Sequence, residues 1–205
     1  MTKIDAGLLS FGASGTIGKT MTFSSWKGRP YVRRRVIPSN PRTGGQTGVR
    51  AGMKWGSRAW ANLGSTPQSS WDSLAAATNI SPFNAFIGTG QRRLRDGNAY
   101  QQSNPAATAA DTATVTSASA TAEGRNIILA WTDPVTAGFF GVHIYRALAT
   151  GFSIAPNNLI AIVDVGAEGY IDGPLVPDEY FYMIVPFNIE GEVSTNETEV
   201  DATVS

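Results

Sequence analysis

The stretch Ala13-Ser14-Gly15-Thr16-Ile17-Gly18-Lys19-Thr20 comes closest in this chain to a recognisable piece of chemistry. It fits the relaxed form of a phosphate-binding loop, with Ala13 in place of the first glycine. In such a loop, backbone amides cradle phosphates, Lys19 would reach the terminal phosphate and Thr20 would hold Mg²⁺. Ile160-Ala161-Ile162-Val163-Asp164 supplies an apolar run and a carboxylate of the kind that completes a nucleotide site. The surroundings oppose this reading. A phosphate loop follows a buried strand and opens a helix. Here the short Leu8-Leu9-Ser10-Phe11-Gly12 precedes it, and a Thr-rich, strand-like stretch ending at Trp26 follows. Asp164 has no βαβ pattern around it. The residues read instead as a Gly-rich turn leading into a hairpin, and no cofactor is expected.

Other catalytic constellations are thin. There is no cysteine, so disulfides, thiolate metal sites and Cys nucleophiles are excluded. His143 is the only histidine. It sits in a strand-like run ending at Tyr145, with no Ser and carboxylate spaced around it as a triad requires, and it cannot form a His cluster for Zn²⁺. Asp178-Glu179 and the Glu190/Glu192 pair fall at expected loops without the spacing of an EF-type Ca²⁺ loop. They read as a solvated face. The chain is expected to be non-enzymatic.

The stronger functional signal is cationic and aromatic together: Trp26-Lys27-Gly28-Arg29-Pro30-Tyr31-Val32-Arg33-Arg34-Arg35. On a strand Tyr31, Arg33 and Arg35 share one face, with Val32, Arg34 and Val36 on the other. Arginine on both faces is difficult to bury in a monomer. The segment reads first as a surface docking on another protein, with Trp26, Lys27, Arg29, Tyr31, Arg33, Arg34, Arg35, Arg42 and Arg50 as its candidate residues. Nucleic-acid binding and a merely solvated basic hairpin are the alternatives.

The charge of the whole chain frames that signal. The formal net charge is zero, yet residues 1–104 carry 14 Lys or Arg against 3 Asp or Glu, and residues 105–205 carry 2 against 13. Such asymmetry points to two units with different partners, or to partners within one assembly. No run approaches the ~18 apolar residues of a membrane span, and the first ten residues lack the apolar stretch of a signal peptide. A soluble chain without a membrane partner is therefore predicted.

The elements that must carry these residues follow from periodicity. Lys19–Trp26 and Tyr31–Ile37 are expected to pair as a β-hairpin across Lys27-Gly28-Arg29-Pro30. Three short helices are expected: about 46–63, with Gly48, Gly52 and Gly56 on one face open to a close backbone; one beginning at Ser65-Thr66-Pro67, with Trp71 in the core; and Pro82–Arg95. Beside a hairpin these can make only a small core. Residues 98–111 have linker composition. Beyond them, strands are expected at Asn126–Thr132, Gly141–Arg146, Asn158–Asp164, Glu179–Val185 and Glu192–Val204, a β-sandwich pattern. The predicted organisation is an α+β module over 1–97, a linker over 98–111 and an all-β sandwich over 112–205.

Two resemblances refine this. Residues 112–204 resemble a fibronectin type III domain: Trp131 stands in the second strand and Tyr145 in the third, and Tyr180, Ile184, Pro186, Asn188 and Gly191 follow the family's Tyr-x-x-x-apolar-x-Ala-x-Asn-x-x-Gly run. Pro186 departs from the usual Ala, and Leu175 and Pro177 sit one residue off the preceding Leu-x-Pro. Residues 15–97 resemble a recurring N-terminal module of bacteriophage virion proteins. The residues carrying this are Gly15-x-Ile17-Gly18, Trp26-Lys27-Gly28-x-x-Tyr31-x-Arg33, Asn40-Pro41-x-Thr43-x-x-Gln46, Arg50, Trp60, Leu63, Trp71, Ala75 and Phe83-x-Ala85-Phe86. The resemblance implies a virion structural protein, foremost a head decoration or cement protein. The partners it implies are other capsid or tail proteins and host-surface glycans touched by the C-terminal domain; the Gly-rich first helix and small helical core add the expectation of a homo-oligomer, because stable folding would need neighbours. A neck, tail-tube or tail-surface protein is the alternative station, and a nucleic-acid-binding protein the alternative function.

Overall fold

The computed structural model describes residues 15–37, 40, 42–108 and 114–205. Readings that rest on Leu8–Gly12, Ala13, Ser14, Pro38, Pro41 and Asp111 lie outside the described residues. The chain divides into two compact units, Met1–Pro41 and Arg42–Ser205.

The first unit holds a three-stranded antiparallel sheet: β1 (Gly15–Ile17), β2 (Met21–Trp26) and β3 (Arg29–Arg34), in that spatial order. The turn between β2 and β3 is Lys27-Gly28, with φ of 49° and 76°. Two successive positive φ values suit the tight hairpin turn whose twist matches the flanking strands. The expected hairpin therefore forms, and β1 is an additional strand. The phosphate-loop geometry does not form. Gly15–Ile17 is itself a strand and Gly18-Lys19-Thr20 is a turn into another strand, so no helix N-terminus points its amides at a phosphate.

The second unit begins with four helices, α1 (Gly44–Asn62), α2 (Ser65–Ser69), α3 (Asp72–Thr78) and α4 (Pro82–Arg95). The second expected helix is broken in two at Ser70-Trp71. Asn79, at φ 53°, ends α3 in the left-handed conformation. Ser81 caps α4, its Oγ accepting the Asn84 N–H at 3.2 Å, with Pro82 in the first turn where a missing N–H costs nothing.

Seven strands follow: β4 (Thr116–Glu123), β5 (Asn126–Thr132), β6 (Phe139–Ala147), β7 (Leu159–Asp164), β8 (Gly169–Asp172), β9 (Asp178–Asn188) and β10 (Thr198–Val204). They make a three-stranded sheet, β4-β5-β8, and a four-stranded sheet, β10-β9-β6-β7. Ile127, Leu129 and Trp131 alternate inward from β5 and meet Val142, Ile144, Tyr182 and Ile184 from the facing sheet. Near the start of β9 the Tyr180 hydroxyl donates to the Val176 carbonyl at 3.0 Å, a tyrosine corner. Leu175 is buried beside it. Pro186 is tolerated inside β9 because its carbonyl, and so its imide nitrogen, faces Ser194 (2.9 Å) rather than the β6 ladder. The two sheets are tied internally by Arg146 on β6, which donates to Asp172 on β8 at 2.6 Å, while the Tyr182 hydroxyl donates to the same oxygen at 2.9 Å. The C-terminal part is a fibronectin type III-like sandwich.

The domain boundary differs from the one expected at 98–111. The outward residues of the four-stranded sheet, Tyr145, Leu159, Ile162, Met183, Val185 and Phe187, share one buried cluster with Trp55, Trp71, Phe86, Leu94 and Tyr100. Burying a side chain such as Phe86 or Phe187 contributes roughly 1.5–3 kcal/mol. The helices are thus a third layer on the sandwich, and their core is part of a larger one. Trp55 sits at its centre, with ring centroids 5.2–5.4 Å from those of Phe140, Tyr100 and Phe187. Residues 98–102 are no free linker either. Ala99, Tyr100 and Gln101 are buried, Ala99 N–H donates to Gly191 O and Gln102 N–H to Ile189 O, and the Trp71 indole donates to Gln102 O. Composition concealed this, because Tyr100 is one aromatic among Gln, Asn and Ser.

The glycine face of α1 finds its close backbone. A Cβ on Gly48 would lie 2.7 Å from Pro156 O, and one on Gly44 would collide with Asn157 O. Gly52 and Gly56 accommodate Leu94, Ile87 and Tyr100.

Candidate docking surface

The expected docking residues from Trp26 to Arg34 fall on the β2–β3 hairpin, and Arg35 follows it directly, its N–H donating to Thr20 O at 2.7 Å. Register sorts them. Thr22 faces Arg33, Ser24 faces Tyr31 and Trp26 faces Arg29, so these side chains emerge on one face; Thr16 extends the row, its hydroxyl 3.2 Å from that of Thr22. The opposite face carries Phe23 against Val32 and Met21 against Arg34, with Ile17 beside Met21. One face is therefore cationic and aromatic, the other largely apolar with a single arginine. The expected partition of Tyr31 and Arg33 from Val32 and Arg34 is observed.

Between residues 15 and 37 no residue is buried. Trp26 is 67% exposed and Val32 54%. Lys27 Nζ lies 4.9 Å from the centre of the Trp26 ring, a cation–π contact that holds charge and aromatic together. Residues 15–37 contain six Lys or Arg and no Asp or Glu, so no internal pairing neutralises the face. β3 is an edge strand, with no hydrogen-bonded neighbour on its outer side among the described residues.

Arg42 and Arg50 belong to the second unit, Arg42 two residues before α1 and Arg50 exposed on it. Other cations of the basic half are structural, which the charge count alone did not separate. Arg93 on α4 donates to Ala99 O (2.7 Å), Gly191 O (2.7 Å) and Glu190 O (3.2 Å), knitting helix to sandwich. Arg58 on α1 pairs with Asp164 at 3.1 Å, which gives that carboxylate a partner other than a bound metal.

His143 is fully buried. Its Nδ1 lies 3.0 Å from the Tyr145 hydroxyl, its ring packs 4.6 Å from Phe187, and burial pushes its imidazole down to about 3. Burial likewise pushes the Tyr100 phenol up to about 12, against a hydrogen bond from Gln91 that pulls it down. Among the described residues no three of His, Cys, Asp and Glu converge as metal ligands. An open cleft in the second unit is lined by Asn98, Asn188, Glu192, Ser194, Asn196 and Glu197, a set of hydrogen-bonding groups. No helix is long and apolar enough to cross a membrane among the described residues.

No known family model matches the chain, and no characterised protein matches it in sequence. Solved structures do. A β-1,2-glucanase from Parabacteroides distasonis is similar at 18% identity and a TM-score of 0.38, over 48% of this chain and 14% of that one. A protein described as an FN3tt mutant is similar at 19% identity and 0.36, over 47% of this chain and 97% of that one. An Fn3-like protein from Clostridium thermocellum is similar at 19% and 0.34, over 46% and 92%. The chain thus spans a small part of the glucanase but nearly the whole of the two small fibronectin-like proteins. The fold assignment rests on the strand order, the buried Trp131 and the Tyr180 corner.

Proposed function

We infer that the chain is a non-enzymatic structural protein that docks on a larger assembly through its N-terminal hairpin and carries the helix-backed sandwich as an acidic body. The observation that carries this reading is the hairpin itself, a three-stranded sheet without a buried residue whose exposed face combines Trp26 and Tyr31 with Arg29 and Arg33, with Arg35 following just past β3. A small sheet with neither face covered is marginal by itself, and aromatic residues with arginine are the side chains that dominate binding energy at interfaces. The burial of His143 and the pairing of Asp164 with Arg58 support packing roles for the residues that catalysis would have used.

The virion-module resemblance of residues 15–97 supplies the finer proposal, a bacteriophage head decoration or cement protein, with a neck or tail station as the variant. In that setting any contact with host glycans would fall to the sandwich loops or the β4-β5-β8 sheet, because helices occupy much of the outer face of the other sheet. The test is particle association of the full chain. Wild-type protein should co-sediment with particles, and R33E/R34E/R35E should not; undiminished association of the triple variant would overturn the docking reading.

The flat, exposed Trp26 and Tyr31 among arginines also suit stacking on unpaired bases. This second reading requires a low-salt mobility shift with single-stranded DNA that weakens steeply as salt rises.

A further inference from the structure

A second surface complements the cationic face of the hairpin. On β9 the outward residues Met183, Val185 and Phe187 lie under the helices, whereas Glu179 and Phe181, on the same face, are not buried. On β10, Val200, Ala202 and Val204 turn toward the sandwich interior, so Glu199, Asp201 and Thr203 turn outward. Register places Glu199 opposite Met183, Asp201 opposite Phe181 and Thr203 opposite Glu179. Beyond the helical layer, the outer face of the four-stranded sheet is therefore a shelf of three carboxylates around one phenyl ring. Neither β9 nor β10 contains a Lys or Arg. Glu199 is already oriented, accepting from the Thr150 hydroxyl at 2.7 Å and the Gly151 N–H at 3.0 Å.

We propose that the Arg29/Tyr31/Arg33/Arg35 face of the hairpin docks on the Glu179/Phe181/Glu199/Asp201 shelf of a second copy of this chain, joining copies head to tail. The proposal rests on the hairpin being a docking element and names its partner. Three matches carry it. The charges are opposite and unmixed on both surfaces. The spacing agrees, since Tyr31 and Arg33 alternate along β3 as Glu199 and Asp201 do along β10, a step of about 7 Å in each case, and Arg35 follows Arg33 just past the end of β3. Each surface also sets aromatic rings among its charges, Trp26 and Tyr31 on the hairpin and Phe181 on the shelf, so apolar contact accompanies ion pairing. A contact between two different surfaces propagates into a ring or an open filament. It leaves the apolar hairpin face of Ile17, Met21, Phe23 and Val32 for a further partner.

The test is sedimentation equilibrium of the full-length chain. At about 50 mM salt the mass should grow with concentration, and at about 500 mM, where the screening length is a few ångströms, the association should weaken about tenfold or more. R33E/R35E and E179K/D201K should each weaken low-salt association to a similar degree, and combining all four changes in one chain should restore it. Far-ultraviolet circular dichroism establishes that each variant is folded, and the milder E179Q/D201N should weaken association in the same direction. A monomer mass at every concentration, an E179K/D201K variant that associates like wild type, or no recovery in the combined variant would each overturn the proposal. Failure here is distinguishable from failure of the docking reading. Loss of particle association by R33E/R35E with undiminished self-association by E179K/D201K removes only the partner assignment; an R33E/R35E variant unchanged in both assays removes both.

Discussion

The hairpin and the helix-backed sandwich solve opposite problems with residues of similar kind. Both contain tryptophan, tyrosine and arginine. In the second unit Trp55 and Tyr100 are sealed among Phe140, Phe86 and Phe187, and Arg93 spends its donors on three backbone carbonyls. In the hairpin Trp26 and Tyr31 stand exposed, and none of the arginines has a carboxylate within its own stretch. What separates them is the availability of a second layer. Four helices and two sheets exclude water from each other, whereas the three short strands of the first unit have no second layer of their own among its described residues. The same side chains are therefore core in one region and exposed in the other.

The comparison can be broken hardest at Trp55. Trp55→Ala should lower unfolding free energy by about 3–5 kcal/mol in denaturant titration, by loss of burial and the cavity left behind. Helical and β signals should fall in one transition. Separate transitions would mean that the helices are an independent domain. Next comes Gly90→Ala, which drives a methyl group into the Tyr100 ring and should cost about 1–3 kcal/mol in the same titration. Gly88→Ala, two residues away on another face of the same helix and facing open space, should not destabilise and tests whether propensity or packing explains the loss.

A smaller effect is set by pH. His143 is neutral when folded, with its pKa lowered to about 3, and takes up a proton near 6.5 when unfolded. Its contribution to stability is complete above the unfolded value. It declines as pH falls from there toward 3, by at most about 1.4 kcal/mol per pH unit, because the unfolded chain binds the extra proton. His143→Gln should flatten that part of the profile relative to wild type. The smallest expected stability effect is in the hairpin: R33E/R35E should leave thermal unfolding of the second unit within about 0.5 kcal/mol of wild type while changing binding. A large loss would mean that these arginines serve packing.

Much of this was legible in the sequence. Pro82 marked the start of α4, and Trp71 was placed in the core. The Tyr180 run located the fibronectin-like corner, and Lys27-Gly28 marked the hairpin turn. The glycine spacing in α1 announced a close approach, although not what approached. The third layer was hidden for a physical reason. Burial on both faces of β9 leaves a continuous apolar run, Met183-Ile184-Val185-Pro186-Phe187, and such a run does not say whether the second cover is another sheet or a helix. The role of residues 98–102 was hidden because backbone hydrogen bonds to Gly191 and Ile189 depend on position rather than on side-chain type. At the candidate docking surface, strand alternation alone gave the two faces, while the structural duties of Arg58 and Arg93 required contacts more than ninety residues away in sequence.

The glycine face of α1 has a consequence for how the chain comes to be folded. Gly44, Gly45, Gly48, Gly52 and Gly56 each weaken an isolated helix by about 1 kcal/mol relative to alanine. Such a helix gains its stability only on reaching Pro156, Leu159 and the ring of Tyr100. Its central tryptophan waits still longer, for Phe187. During synthesis the helical segments leave the ribosome well before the strand that completes their binding face. The N-terminal portion of the second unit is therefore expected to emerge largely unstructured and to be captured late, with the sandwich as the template on which its own predecessor in sequence becomes helical.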